Sequence, residues 1–187
     1  AADREDPHAQ CNLGYRLATG KGAEQNAEEA VKWYRQATKQ GHPLAMNNLG
    51  VMYANGEGVE ASEREAAKLF QQAADKNCTL SQFNMGVMCV HGRGVRKAET
   101  AAAKWFGLAA KAGHSGAQFA LGLLTADGLG VNKDNEEAAR LYREAAVQGD
   151  ALAQNNLGVL YAEGRGVQQD SKEAARLYTQ SSEAGLT

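Results

Sequence analysis

The chain has 187 residues, of which 43% are hydrophobic and only two are proline, and its formal net charge is −2. That length allows about one domain, and the apolar share is enough for a continuous core. A near-neutral balance with a pI near 6.1 excludes a general electrostatic footprint for nucleic acid or a membrane surface, and no apolar run approaches the roughly 20 residues of a membrane span.

The first residue is Ala1, no leader peptide is visible, and repeated sequence begins almost at once. This reads as a piece cut from a longer protein, with a mature form lacking its leader as the alternative. A Gly that follows Leu or Met recurs every 36 residues, at Gly14, Gly50, Gly86, Gly122 and Gly158. Ala30, Ala66, Ala102, Ala138 and Ala174 keep the same step, as do Tyr34, Phe70, Phe106, Tyr142 and Tyr178. A fixed period in this range is the signature of a solenoid, in which each unit buries its apolar face against its neighbours. The expected units are about 9–44, 45–80, 81–116, 117–152 and 153–187, within one domain spanning 1–187.

The second unit is the cleanest. Ala45, Leu49 and Tyr53 share one helical face. Gly50 lies inside that helix, where Gly costs roughly 1 kcal/mol relative to Ala, so close approach by the partner helix is expected there. Gly56 is placed to end the helix in left-handed geometry, Gly58 gives a second flexible point, and Val59 is expected to plug the turn. A second helix is predicted from about Ser62 to Asp75, with Ser62 as N-cap and Glu65 completing a capping box. Its buried stripe is Ala66, Leu69, Phe70 and Ala73. A further stop column follows at Gly41, Asn77, Gly113, Gly149 and Gly185; Asn is the non-Gly residue that best tolerates left-handed geometry. The predicted class is all-α, five helix-turn-helix repeats in an α/α superhelix.

The fifth unit carries the pattern in full: Ala153, Leu157, Gly158, Tyr161, Gly164, Gly166 and Val167, then Ala174, Leu177 and Tyr178. It resembles the Sel-one-like repeat, a cousin of the tetratricopeptide repeat, over essentially residues 9–187. The resemblance implies a right-handed α-solenoid acting as an adaptor in protein complexes. Bacterial members are associated with envelope assembly, signalling and host interaction, eukaryotic ones with endoplasmic-reticulum degradation complexes. The chain departs from the pattern in the middle: the Tyr column reads Leu17, Tyr53, Cys89, Thr125, Tyr161, and Arg96 and Lys97 follow the third turn where Asp134 or Asp170 lies near the next two. Drift compensated by repacking is favoured over specialisation. A disulfide-bearing subgroup is not matched, because Cys78 and Cys89 are separated by roughly 16 Å of helix and Cys11 lies two repeats away. Unpaired thiols lean toward a reducing, cytoplasmic setting, with a periplasmic or secreted one as the alternative.

The column Asp6, His42, Cys78, His114, Asp150 holds residue types that ligate zinc. Equivalent positions in stacked helices lie roughly 8–10 Å apart, too far to share an ion, so these residues read as turn polars preceding a helix. His8 and His91 read as isolated. Gly92-Arg93-Gly94 lacks the strand and the Gly-Lys-Ser/Thr ending of a phosphate loop. Glu28 with Lys32, and Glu136 with Arg140, read as i,i+4 pairs. No nucleophile–base constellation is present; the expectation is no enzyme, no cofactor and no metal, with a cell-wall or β-lactam hydrolase as a remote alternative.

On the first helix of each unit, positions −3, +1 and +4 from the central Gly fall within about 60° of arc, away from the Leu/Tyr stripe. In related tetratricopeptide repeats the matching face lines the concave groove. The expected docking strip is therefore Asn47, Val51, Phe83, Val87, Phe119, Leu123 and Asn155, with Phe83 and Phe119 expected to be adjacent and to take an extended peptide or a helix. The column Asn12, Asn48, Asn84, Asn156, broken by Ala120, is expected to bracket the neighbouring turn. The expected partner is a protein or peptide, without nucleic acid or membrane insertion. Self-association through uncapped ends is the alternative.

Overall fold

The computed structural model describes residues 6–185, and among them ten helices and no strand. First helices are α1 (Pro7–Thr19), α3 (Pro43–Asn55), α5 (Thr79–His91), α7 (Ser115–Asp127) and α9 (Ala151–Glu163). Second helices are α2 (Ala27–Lys39), α4 (Glu63–Ala74), α6 (Glu99–Lys111), α8 (Asn135–Val147) and α10 (Ser171–Glu183). The backbone divides into two compact units, 1–97 and 98–187. Within the first, α1 packs on α2 and α3 on α4, with α2 on α3 and α4 on α5 between repeats; within the second, α7 packs on α8 and α9 on α10, joined by α6 on α7 and α8 on α9.

Each boundary has a local cause. First helices end at Gly20, Gly56, Gly92, Gly128 and Gly164, all left-handed, with φ between 67° and 75°. After the turn, the N-cap residue of the second helix ties back to the first: Ser62 N–H donates to the Tyr53 carbonyl at 2.9 Å, and Asp134 N–H to that of Thr125 at 3.0 Å. The second helices α2, α4, α6 and α8 close in six-to-one bonds, such as Cys78 N–H to the Ala73 carbonyl at 3.0 Å. Asn77, at φ 61°, is the one non-Gly residue with positive φ among those described. The left-handed stop column thus stands as the sequence predicts, Asn included.

The central Gly column has a specific job. A Cβ on Gly50 would lie 2.7 Å from Phe70 Cε1, and one on Gly14, Gly122 or Gly158 would lie 2.6–2.8 Å from the Cε1 of Tyr34, Tyr142 or Tyr178. What approaches is thus the flat ring of the second helix, laid on the first helix's backbone. Gly58 answers a different demand: a Cβ there would sit 2.4 Å from the Ala27 carbonyl carbon, in the preceding repeat. Gly94 faces the Glu63 carbonyl, and Gly166 the backbone of Asn135, in the same way. In the second to fifth repeats the second Gly of the turn is thus a docking point on the preceding repeat rather than a loose hinge. Val59 packs on the first unit's core cluster, built on Ala30, Tyr34, Ala45 and Leu49, and Val167 on that of Ala138, Tyr142, Ala153 and Leu157 in the second.

Candidate docking face of the first helices

The exposed stripe of α3 runs Leu44, Asn48, Val51, Asn55, at i, i+4, i+7 and i+11. Its counterpart on α5 is Leu80, Asn84, Val87, His91; on α9 it is Leu152, Asn156, Val159, Glu163; on α7 it is Gly116, Ala120, Leu123, Asp127. At 100° per residue this arc is centred about 60° further round than the expected strip, and the two share the +1 column. Val51, Val87 and Leu123 therefore lie on the exposed stripe, Leu123 36% exposed and the two valines half-buried.

The −3 column turns inward. Phe119 is half-buried in the second unit's cluster, its ring centroid 5.9 Å from that of Tyr142. Phe83, in the first unit, and Asn155 are half-buried as well. Asn47 is only 4% exposed, and its Oδ1 accepts from the Ser81 hydroxyl at 2.9 Å and from Asn84 Nδ2 at 3.0 Å. That amide is committed to joining the second repeat to the third.

Sequence reasoning missed Leu44, Leu80 and Leu152, which are 41%, 45% and 47% exposed. Their own 36-residue column, interrupted by Gly116, was the available signal. With Val51, Val87 and Val159 they give the α3, α5 and α9 stripes two aliphatic side chains around an Asn. Charge enters the α3, α5, α7 and α9 stripes only at Asp127 and Glu163 (His neutral).

The Asn column brackets a hydroxyl, not a turn. Asn48 is hydrogen-bonded with Tyr34, and Asn156 with Tyr142, in each case the aromatic of the preceding repeat's second helix. Burial pushes both phenols up, Tyr34 to about 12. Where the aromatic is Phe70, Asn84 turns to Asn47 instead; after Phe106, the column holds Ala120. The Tyr column of the first helices is matched likewise. Arg35 Nη2 donates to the Tyr53 hydroxyl at 2.9 Å and Arg143 Nη2 to that of Tyr161 at 3.1 Å. Ahead of Cys89 and Thr125 the Arg position holds Gln71 and Gly107. Loss of the aromatic goes with loss of its guanidinium.

The column Asp6, His42, Cys78, His114, Asp150 stands at the N-cap positions of the first helices, and all but Cys78 cap with their side chains. Asp150 Oδ1 accepts from Ala153 N–H at 2.9 Å, and His42 and His114 accept through Nδ1 from Ala45 and Ala117 N–H at 3.2 Å. Burial holds both imidazoles below their usual value. His8 is not isolated: it meets His42 across the first junction. Nor are the ion pairs those expected. Lys32 pairs with Glu29 at 3.1 Å, while Arg140 bridges Glu137 at 2.6 Å and Glu144 along one ridge, leaving Glu28 and Glu136 exposed. The three cysteines are free, and burial raises the Cys11 thiol to about 11. Among the described residues no three His, Cys, Asp or Glu side chains group to hold a metal, and no helix is long and apolar enough to cross a membrane.

The model of the Sel1 repeat matches residues 7–42, 43–78, 79–114, 115–150 and 151–186. The chain belongs to the Sel1 repeat family. Its fold is that of the family's solenoids, five repeats of about 36 residues. It is similar to c5321, a protective antigen of uropathogenic Escherichia coli strains displaying an SLR fold, at 37% identity and TM-score 0.90, covering 96% of this chain and 38% of that one. It is also similar to a Sel1 repeat protein from Oxalobacter formigenes, at 36% identity and TM-score 0.91, over 97% of this chain and 72% of that one. A third likeness is to the immunity protein Pa5087 of Pseudomonas aeruginosa, at 26% identity and TM-score 0.62, over 96% of this chain and 66% of that one. The chain thus spans little more than a third of the E. coli protein. No curated protein matches the sequence. Sel1 repeat proteins are generally protein-interaction scaffolds and generally non-catalytic.

Proposed function

We propose that the chain is a non-catalytic scaffold that docks a protein or peptide along the exposed stripes of its first helices. The observation that carries this reading is the pairing of Leu44 with Val51 and of Leu80 with Val87, aliphatic side chains repeated at 36-residue spacing on a nearly uncharged stripe. An apolar stripe interleaved with amides suits an extended segment or an amphipathic helix, whose side chains gain by burial while its polar groups meet Asn. Asn47 and Phe83 form the inner margin in the first unit, and Phe119 and Asn155 in the second; of these, Asn47 acts through the backing it gives Asn84. No part of the reading calls on a nucleophile, metal or cofactor.

Capture of a native partner on immobilised protein tests it. Leu80→Ser with Val87→Ser is expected to lower capture at least ten-fold while circular dichroism stays helical. The margin variant Phe83→Ala with Phe119→Ala is expected to weaken it less. Full capture by the stripe variant would remove the assignment.

A second reading, self-association, draws on Tyr178, which is 38% exposed where Tyr34 and Tyr142 are each 2% exposed. Sedimentation across a concentration series separates the two: assembly that Tyr178→Ser abolishes favours this reading, and a monomer throughout removes it.

A further inference from the structure

His8 lies in the first turn of α1 and His42 caps α3, so each belongs to the N-terminal end of a first helix, in adjacent repeats. His42 Nε2 and His8 Nδ1 are 3.0 Å apart, with ring centroids at 4.5 Å and planes at 88°. A backbone group fixes how these rings carry their protons. Ala45 N–H donates to His42 Nδ1 at 3.2 Å, so that nitrogen is unprotonated. The neutral ring then has its proton on Nε2, which donates to His8 Nδ1. His8 in turn keeps its proton on Nε2. One amide of α3 thereby sets the tautomers of two histidines in two repeats.

This pattern disfavours a metal. A metal on His42 Nε2 would move the ring's proton to Nδ1, against the Ala45 N–H, and would leave α3 uncapped. The pair is built to respond to protons.

We propose that His8 and His42 form an acid-opened latch between the first and second repeats, closed when both rings are neutral and released when either takes up a proton. A proton added at His8 Nδ1 sets two N–H groups face to face across the 3.0 Å gap. A proton added at His42 Nδ1 sets N–H against the Ala45 amide and removes the cap. His42 also lies at the positive end of α3, which disfavours its imidazolium.

The charged groups around the pair do not reverse this. Burial holds His42 below its ordinary value, His8 adds to the effect, and the Asp6 carboxylate acts against it. Asp6 is itself occupied by the His8 and Ala9 amides, at 3.0 and 3.3 Å. The Lys76 ammonium lies 3.6 Å from where a Cβ on the neighbouring Gly41 would stand. Because the folded value of His42 is lowered, the latch contributes fully above the unfolded value of about 6.5. That contribution is lost as pH falls through the folded value.

Nitrogen-15 NMR on the whole chain tests the proposal. At pH 7.5 both rings are expected as Nε2–H tautomers. Between pH 7.5 and 5, amide exchange protection corrected for intrinsic rate is expected to fall at least ten-fold at Ala45 and in the first turns of α1. His42→Asp supplies a non-titrating cap, as Asp150 does for Ala153, and is expected to flatten the Ala45 response. A His42 Nδ1–H tautomer in the wild type, protection that persists to pH 5, or an unchanged pH profile in His42→Asp would each overturn the latch. The tautomer measurement needs no variant and decides the matter even if His42→Asp folds poorly.

Discussion

Tyr142 on α8 and Asn156 on α9 share a hydrogen bond that joins the fourth repeat to the fifth inside a buried seam. The same bond joins Tyr34 to Asn48 at the first junction. A double-mutant cycle of Tyr142→Phe and Asn156→Ala, read by urea unfolding, is expected to give a coupling of about 1 kcal/mol. The same cycle on Phe70 and Asn84 has no hydroxyl to remove; Asn84→Ala alone is expected to act through Asn47.

Gly50 and Gly107 are both helical glycines with opposite surroundings. A Cβ on Gly50 meets the Phe70 ring at 2.7 Å, whereas one on Gly107 meets nothing within 4 Å. Gly50→Ala is expected to destabilise by about 1–2 kcal/mol, overpacking outweighing helix propensity. Gly107→Ala is expected to stabilise by up to about 1 kcal/mol. Thermal unfolding of both variants checks the sign.

The third repeat lacks both caps its neighbours have. Cys78 and Ala98 stand at the N-cap positions of α5 and α6 without a side-chain hydrogen bond. The column of Ala98 holds Asn26, Ser62, Asp134 and Asp170, each of which caps its helix. Ala98→Asp is expected to stabilise by about 1 kcal/mol, measured as a raised urea midpoint with unchanged slope.

Gln154 Oε1 is buried with no hydrogen-bond partner, while its counterparts Gln10 and Gln118 accept from Gln40 and Gln148 at 3.0 and 2.8 Å. The residue thirty positions after Gln154 is Ala184. Ala184→Gln is expected to supply the missing donor and raise stability by about 1 kcal/mol, read as a raised urea midpoint. An unchanged midpoint, with the introduced amide ordered elsewhere, would count against that reading of the column.

The repeat was legible because its stops are chemical: Gly56 and Asn77 need left-handed backbone, and the sequence names residues that adopt it. The N-cap column was legible as turn polarity for the same reason. The face was legible only in part. A helical wheel gives angles from Gly50 but not the direction in which the neighbouring helix lies, so Val51 and Val87 fell on the exposed stripe while Asn47 turned inward. Asn48 and Tyr34 lie fourteen positions apart in the chain; their bond depends on the stacking of repeats, which no local pattern encodes. His8 likewise gained a partner through stacking alone.

The most direct test of the scaffold reading is site-specific photo-crosslinking. A photoreactive residue at Leu80 or Leu152, on the stripes, is compared with one at Lys104 on α6 during incubation with native extract. One partner protein is expected to crosslink from both stripe positions, and none of it from Lys104. The same yield of that partner from Lys104 as from Leu80 and Leu152, or its capture from Lys104 alone, would contradict it.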